Sequence, residues 1–254
     1  MTSYRDQREE NGTDIRPIIS IVANFTRPSD TRPSLLSFNE LTTFLHEFGH
    51  SLHGILTKCR YESLSGTSVA RDFVELPSQF MENFAYEKEW LDIWASHYLT
   101  GEKLPDVLIK KIREASAFNE GYNCYRQLGF GFLDMAWHTV TNPVDTDISE
   151  FESAATAKTE LFPRIEGVNM SASFGHIFGG GYAAGYYGYK WAEVLDADAF
   201  KYFKETGIFN KDTAGSFRKN ILEKGGTDKP QKLYVSFRGR EPDIEALLER
   251  SGLK

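Results

Sequence analysis

Apolar positions recur at helical spacing through most of the chain. Leu41, Phe44, Leu45, Phe48, Leu52, Ile55 and Leu56 form one such stripe, which predicts an amphipathic helix with Ser37 or Asn39 as its N-cap. Further helices are expected over about 74–99, 105–119, 122–140, 147–161, 181–195, 197–206, 212–224, 230–238 and 242–250, punctuated by Gly101, Pro143 and Gly225-Gly226. Residues 18–25 are rich in β-branched side chains and read as a strand, and Arg27 to Pro33 reads as a linker. Residues 1–14 are polar and are expected to form a flexible N-terminal segment ahead of a folded region over 15–254. The class is mainly α, with a small β element near the N-terminus.

The stripe at 41–56 also carries chemistry. His46-Glu47-Phe48-Gly49-His50 places two histidines four residues apart, so on a helix they project within about 40° of each other and reach one metal ion. Glu47 sits beside them as a proton acceptor, and this His-Glu-x-x-His arrangement suits a mononuclear zinc hydrolase. A packed helix with two buried polar histidines is the bland alternative.

A third ligand is expected downstream. The position six residues after His50 is Leu56, which excludes the pattern of three histidines. His53 lies about two turns from His46 and suits packing or a supporting role better than the metal shell. Of the acidic residues that follow (Glu62, Asp72, Glu75 and Glu82), Glu75 is favoured, because Pro77 marks a helix start and Glu75 falls at its first turn. Gln79 and Glu82 are candidates to orient a ligand histidine. In the segment 58–71, Ser65-Gly66-Thr67 is a loop that could close over a substrate or merely connect.

Four stretches together, HEFGHSLHG, LSGTSVARDFVELPSQFMENF, SFGHIFGGGYAAGYYGYKW and FRGREP, closely resemble the catalytic region of the thimet oligopeptidase and peptidyl-dipeptidase family of zinc metallopeptidases. The resemblance runs from about Pro17 to Leu253 and implies a zincin-like helical catalytic domain. It implies one zinc ion per chain on His46, His50 and Glu75, with Glu47 as general base and acid. It also implies substrate-facing roles for His176, Tyr182 and Tyr189: the tyrosines as donors to an oxyanion, the histidine as a holder of the peptide backbone. Without the resemblance, the glycine-rich run at 174–189 reads as close helix packing, since it lacks the order of a phosphate-binding loop. Family members are much longer, so the chain resembles their C-terminal part, and the N-terminal region of that architecture is a candidate partner.

The stretch 60–67 followed by 71–75 looks more like the peptidyl-dipeptidases, implying release of C-terminal dipeptides from short peptides. An oligoendopeptidase and a non-catalytic zinc-binding module are the alternatives. A peptidyl-dipeptidase needs a basic group for the terminal carboxylate, and Arg71, Lys190, Arg238 and Arg240 are candidates. Cys59 and Cys124 have no neighbouring histidine and are not expected to act as nucleophiles.

Composition narrows the partners. The 254-residue chain is 41% hydrophobic, enough for a sizeable core in one domain or two lobes. A net charge of −7 argues against nucleic acid or an anionic membrane. Two cysteines make no disulfide framework, and with no signal-peptide core at the start a cytoplasmic location is expected.

Overall fold

In the computed structural model, which describes residues 1–254, short strands near the N-terminus precede eleven helices. The strands are β1 (Thr2–Arg5), β2 (Arg8–Glu10), β3 (Thr13–Ile15) and β4 (Ile18–Ser20). The helices are α1 (Phe38–Leu56), α2 (Leu76–Glu82), α3 (Lys88–Trp94), α4 (Asp106–Ala117), α5 (Glu120–Thr139), α6 (Ile148–Thr156), α7 (Gly175–Phe178), α8 (Gly188–Thr206), α9 (Lys211–Phe217), α10 (Pro230–Arg238) and α11 (Glu245–Arg250). The mainly α class with a small N-terminal β element is therefore what the chain adopts. No helix is long and apolar enough to cross a membrane.

Residues 1–14, expected to be loose, instead form strands. β2 and β3 pair antiparallel with Glu10 opposite Thr13, and the turn between them is Asn11-Gly12, both with positive φ (52° and 77°). Asn-Gly accepts that conformation at little cost, and its twist matches paired strands, so polar residues suffice for a hairpin. β1 pairs with β4 through Thr2 opposite Ser20. The strand expected over 18–25 is thus confined to its first three residues.

The chain divides into two compact units, Met1–Ser116 with Ala192–Lys254, and Ala117–Trp191. In the first, Phe80 of α2 sits at the centre of an aromatic core, with ring centroids 4.8 Å from Phe203, 5.6 Å from Phe200 and 4.5 Å from Phe217. α1 begins with a capping box: Ser37 Oγ accepts from Glu40 N at 3.2 Å, and the Glu40 carboxylate accepts from Ser37 N at 2.7 Å. The expected long helix over 74–99 is broken into α2, a 3₁₀ turn over Asn83–Tyr86, and α3. Asn83 accounts for the break, because its amide donates to the carbonyls of Gln79 and Phe80 and to the buried Asp196 carboxylate at 2.7 Å.

In the second unit, Leu133 of α5 packs with Phe174 and Ile177 under Phe130, Trp137, Phe151 and Tyr186. The helix expected over 181–195 starts only at Gly188 and then runs unbroken to Thr206. Residues 181–187 form turns, with Gly181 at φ 81° and Ala184 at φ 52°, conformations a helix cannot contain.

Candidate metal centre

The geometry of the candidate centre starts from a glycine. Gly49 lies on α1 between the two histidines, and a Cβ there would overlap the Pro77 carbonyl oxygen and lie 2.6 Å from Ser78 Cα. Only glycine lets the start of α2 lie this close to α1, which brings Glu75, at the N-cap of α2, under the imidazoles. Glu75 is 1% exposed, and Ser78 donates to its Oε2 at 2.9 Å, fixing one carboxylate oxygen.

That oxygen is 3.3 Å from His46 Nε2 and 3.2 Å from His50 Nε2. Donors held about 2.0–2.1 Å from a central ion in a tetrahedral shell are separated by about 3.3 Å, so these spacings match two edges of a zinc tetrahedron. His46, His50 and Glu75 are the group of three that could hold a metal, with ligand atoms within 4.8 Å of one another. One carboxylate and two imidazoles fit zinc, and they leave a fourth position for water or substrate.

Burial works against a charge on His46, but hydrogen bonds to Glu75 and Glu82 and the charges of both carboxylates outweigh it, pushing its pKa up to about 9. The orienting carboxylate is Glu82, whose Oε1 lies 2.7 Å from His46 Nδ1. Such a bond holds the ring with Nε2 turned inward and makes it a better ligand. Glu82→Gln is expected to weaken zinc affinity by about 10–100-fold, as loss of such partners does; competition with a chromogenic chelator measures it, and unchanged affinity removes Glu82 from this role.

Glu47, next along α1, has a side chain that is 30% exposed. His53 is not among the clustered donors. It is fully buried, and burial, followed by repulsion from His50, pushes its pKa down to about 3. His53 is a neutral packing residue, in line with the sequence expectation. Cys59 is likewise buried, its thiol 3.1 Å from the Leu64 carbonyl and 3.2 Å from that of Lys224, with no histidine beside it.

The second unit gathers the other expected site residues. Tyr182 and Tyr189 stack with centroids 5.0 Å apart and planes at 19°. His176 lies 6.0 Å from the first ring and 6.4 Å from the second. All three therefore belong to one aromatic cluster, which Tyr186 joins at 5.1 Å from Tyr189. Of the basic candidates for a carboxylate anchor, Arg238 and Arg240 both pair with the buried Asp198, which also accepts from Tyr234 Oη at 2.6 Å. Lys190 lies 3.7 Å from Glu120.

Sequence reasoning passed over Gly49 and Ser78. The signal for both was present, a glycine inside the two-histidine motif and a serine three residues after the ligand carboxylate, but neither has meaning until α1 and α2 are known to touch.

Comparison with known proteins agrees with this chemistry. Oligopeptidase A of Salmonella typhimurium is 43% identical over 249 residues, which is 97% of this chain and 37% of that protein. Dipeptidyl carboxypeptidase of the same organism is 41% identical over 255 residues, 100% of this chain and 37% of its own length. Thimet-like oligopeptidase of Dictyostelium discoideum is 36% identical over 240 residues, 93% of the chain and 35% of that protein. The chain spans little more than a third of the length of these relatives. The sequence profile of peptidase family M3 matches residues 1–253. A match over nearly every residue, together with the donor cluster where α1 meets α2, leads to one conclusion: the chain belongs to peptidase family M3.

Proposed function

We propose that residues 15–254 form the catalytic part of a zinc-dependent peptidase that hydrolyses short peptides. The observation that carries this reading is the set of three donors at tetrahedral spacing with a fourth position open, because structural zinc sites use four protein ligands. His46, His50 and Glu75 hold the ion, which supplies Lewis-acid activation of water and of the scissile carbonyl when bound. Glu47 takes a proton from the attacking water and returns it to the leaving amine. Tyr182 and Tyr189 donate their hydroxyls to the carbonyl oxygen as it gains charge, and His176 holds the peptide backbone. No covalent intermediate is required, which accords with the burial of Cys59.

The finer reading is release of C-terminal dipeptides, supported by the stretches 60–67 and 71–75 and by 41% identity to a dipeptidyl carboxypeptidase. An internal-cleavage peptidase is the second reading, favoured by 43% identity to an oligopeptidase A. A peptide with a free C-terminus and its C-terminal amide separate the two. A peptidyl-dipeptidase is expected to cut the amide at least about tenfold more slowly, since the amide no longer offers a charge to a basic anchor. Equal cleavage at internal bonds establishes the endopeptidase, and no cleavage of either peptide with zinc bound favours a non-catalytic module.

A further inference from the structure

Asp134 of α5 is a buried carboxylate that the proposed chemistry does not use. It is 0% exposed, and a charge so placed is tolerated only when its oxygens are bonded. Its Oδ1 accepts from Ala184 N at 2.9 Å and lies 2.8 Å from His138 Nδ1, while its Oδ2 accepts from Tyr186 N at 2.8 Å. The two amides flank Gly185, midway between Tyr182 and Tyr189. Bonds of this kind to a charged acceptor are about twice as strong as neutral ones.

What this carboxylate holds runs from the edge of the core to the surface: Gly185 is buried and Tyr186 packs against the Leu133 cluster. Residues 179–181, 183 and 184 are exposed, and Ala184 sits at φ 52°, a conformation that side-chain-bearing residues rarely adopt. The segment folds back on its own start: Tyr182 N donates to His176 O at 3.1 Å, and a Cβ on Gly180 would lie 2.9 Å from His176 Cα. Its turns continue through Gly185 N to Tyr182 O at 2.9 Å and Tyr189 N to Tyr186 O at 3.2 Å. Fixing the amides at 184 and 186 therefore fixes where both tyrosine rings stand.

We propose that Asp134 is a positioning residue that, through the amides of Ala184 and Tyr186, fixes the backbone carrying Tyr182 and Tyr189 for the hydroxyl role proposed above. This rests on the peptidase reading given above. A preorganised donor works because it does not have to be ordered during the reaction, so loosening its backbone costs rate rather than binding.

Asp134→Asn is the test. The amide keeps one acceptor and turns its NH₂ toward a backbone N–H, so one of the two anchors is lost. With zinc content unchanged, kcat is expected to fall about 10–100-fold with KM moving less than about threefold. In a Tyr182→Phe, Tyr189→Phe background, where the hydroxyls are already gone, the same change is expected to cost less than about twofold. Equal losses in the two backgrounds overturn the proposal and leave the peptidase reading standing. Exchange of the Ala184 and Tyr186 amides is read separately and is expected to quicken at least about tenfold. If the wild-type chain with zinc hydrolyses no peptide, the peptidase reading fails, and unchanged amide exchange overturns the anchor by itself. Should Asp134→Asn not fold, His138→Gln removes the imidazole partner of Oδ1 instead and is judged by the same comparison of backgrounds.

Discussion

Glu47→Gln is expected to lower peptide turnover by about 10²–10⁴-fold, the usual contribution of a positioned general base, while one zinc per chain is retained. Glutamine has nearly the same shape, and Glu47 is not among the three donors clustered for the metal, so the fold and the ion should both survive. What is lost is the ability to accept a proton from water and pass it to the amine. Metal analysis and steady-state kinetics on the same preparation separate the two effects. Turnover within tenfold of wild type excludes Glu47 as the base, and loss of zinc would instead place it among the ligands.

The second large effect is expected at Glu75. Glu75→Gln should reduce zinc affinity by at least about 100-fold, more than the loss of an orienting partner costs, because one of only three protein ligands loses its charge. Hydrolysis should fall with occupancy and recover in part at high zinc. The same carboxylate helps hold a proton on His46, whose pKa in the metal-free protein is pushed up to about 9. That proton must leave when the ring takes a metal, so at pH 7 zinc binding is expected to release it, and affinity is expected to rise with pH until about 9. The linkage for the metal-free fold has the opposite sign. A raised histidine pKa adds stability that is complete below its ordinary value near 6.5 and is lost as pH climbs through about 9. Titration calorimetry in buffers of different ionisation enthalpy counts the protons. Unchanged zinc occupancy in Glu75→Gln removes this residue from the shell.

Much of the candidate centre could be read along the chain because its parts are local. His46, Glu47 and His50 lie within one helical turn and a third, so their convergence follows from helix geometry alone, and the apolar stripe around them says the segment is a helix. Pro77 marks the start of α2 in the same way and so points to Glu75. Ser37, with Glu40 three residues on, announced the start of α1. Asn11-Gly12 announced a hairpin just as plainly, although the polarity of its flanks hid it, because strands exposed on both faces carry no alternation of apolar and polar residues.

The tertiary structure decided what depends on contacts between distant segments. Glu82 reaches His46, because the approach of α1 to α2 across Gly49 sets which turn of α2 faces the ring. Arg238 and Arg240 turn to Asp198, forty residues earlier in the chain, since a carboxylate that is 0% exposed must be paired. The break at Asn83 follows from a side-chain amide drawn to the buried Asp196. The run 181–187, helical by its Ala and Tyr content, is held in turns by Asp134 fifty residues away, whose buried charge binds two amides that a helix would have used itself. Periodicity and short spacings are properties of one segment and survive in its sequence. The partner of a buried charge is chosen only when the fold brings two segments together and takes water away from both.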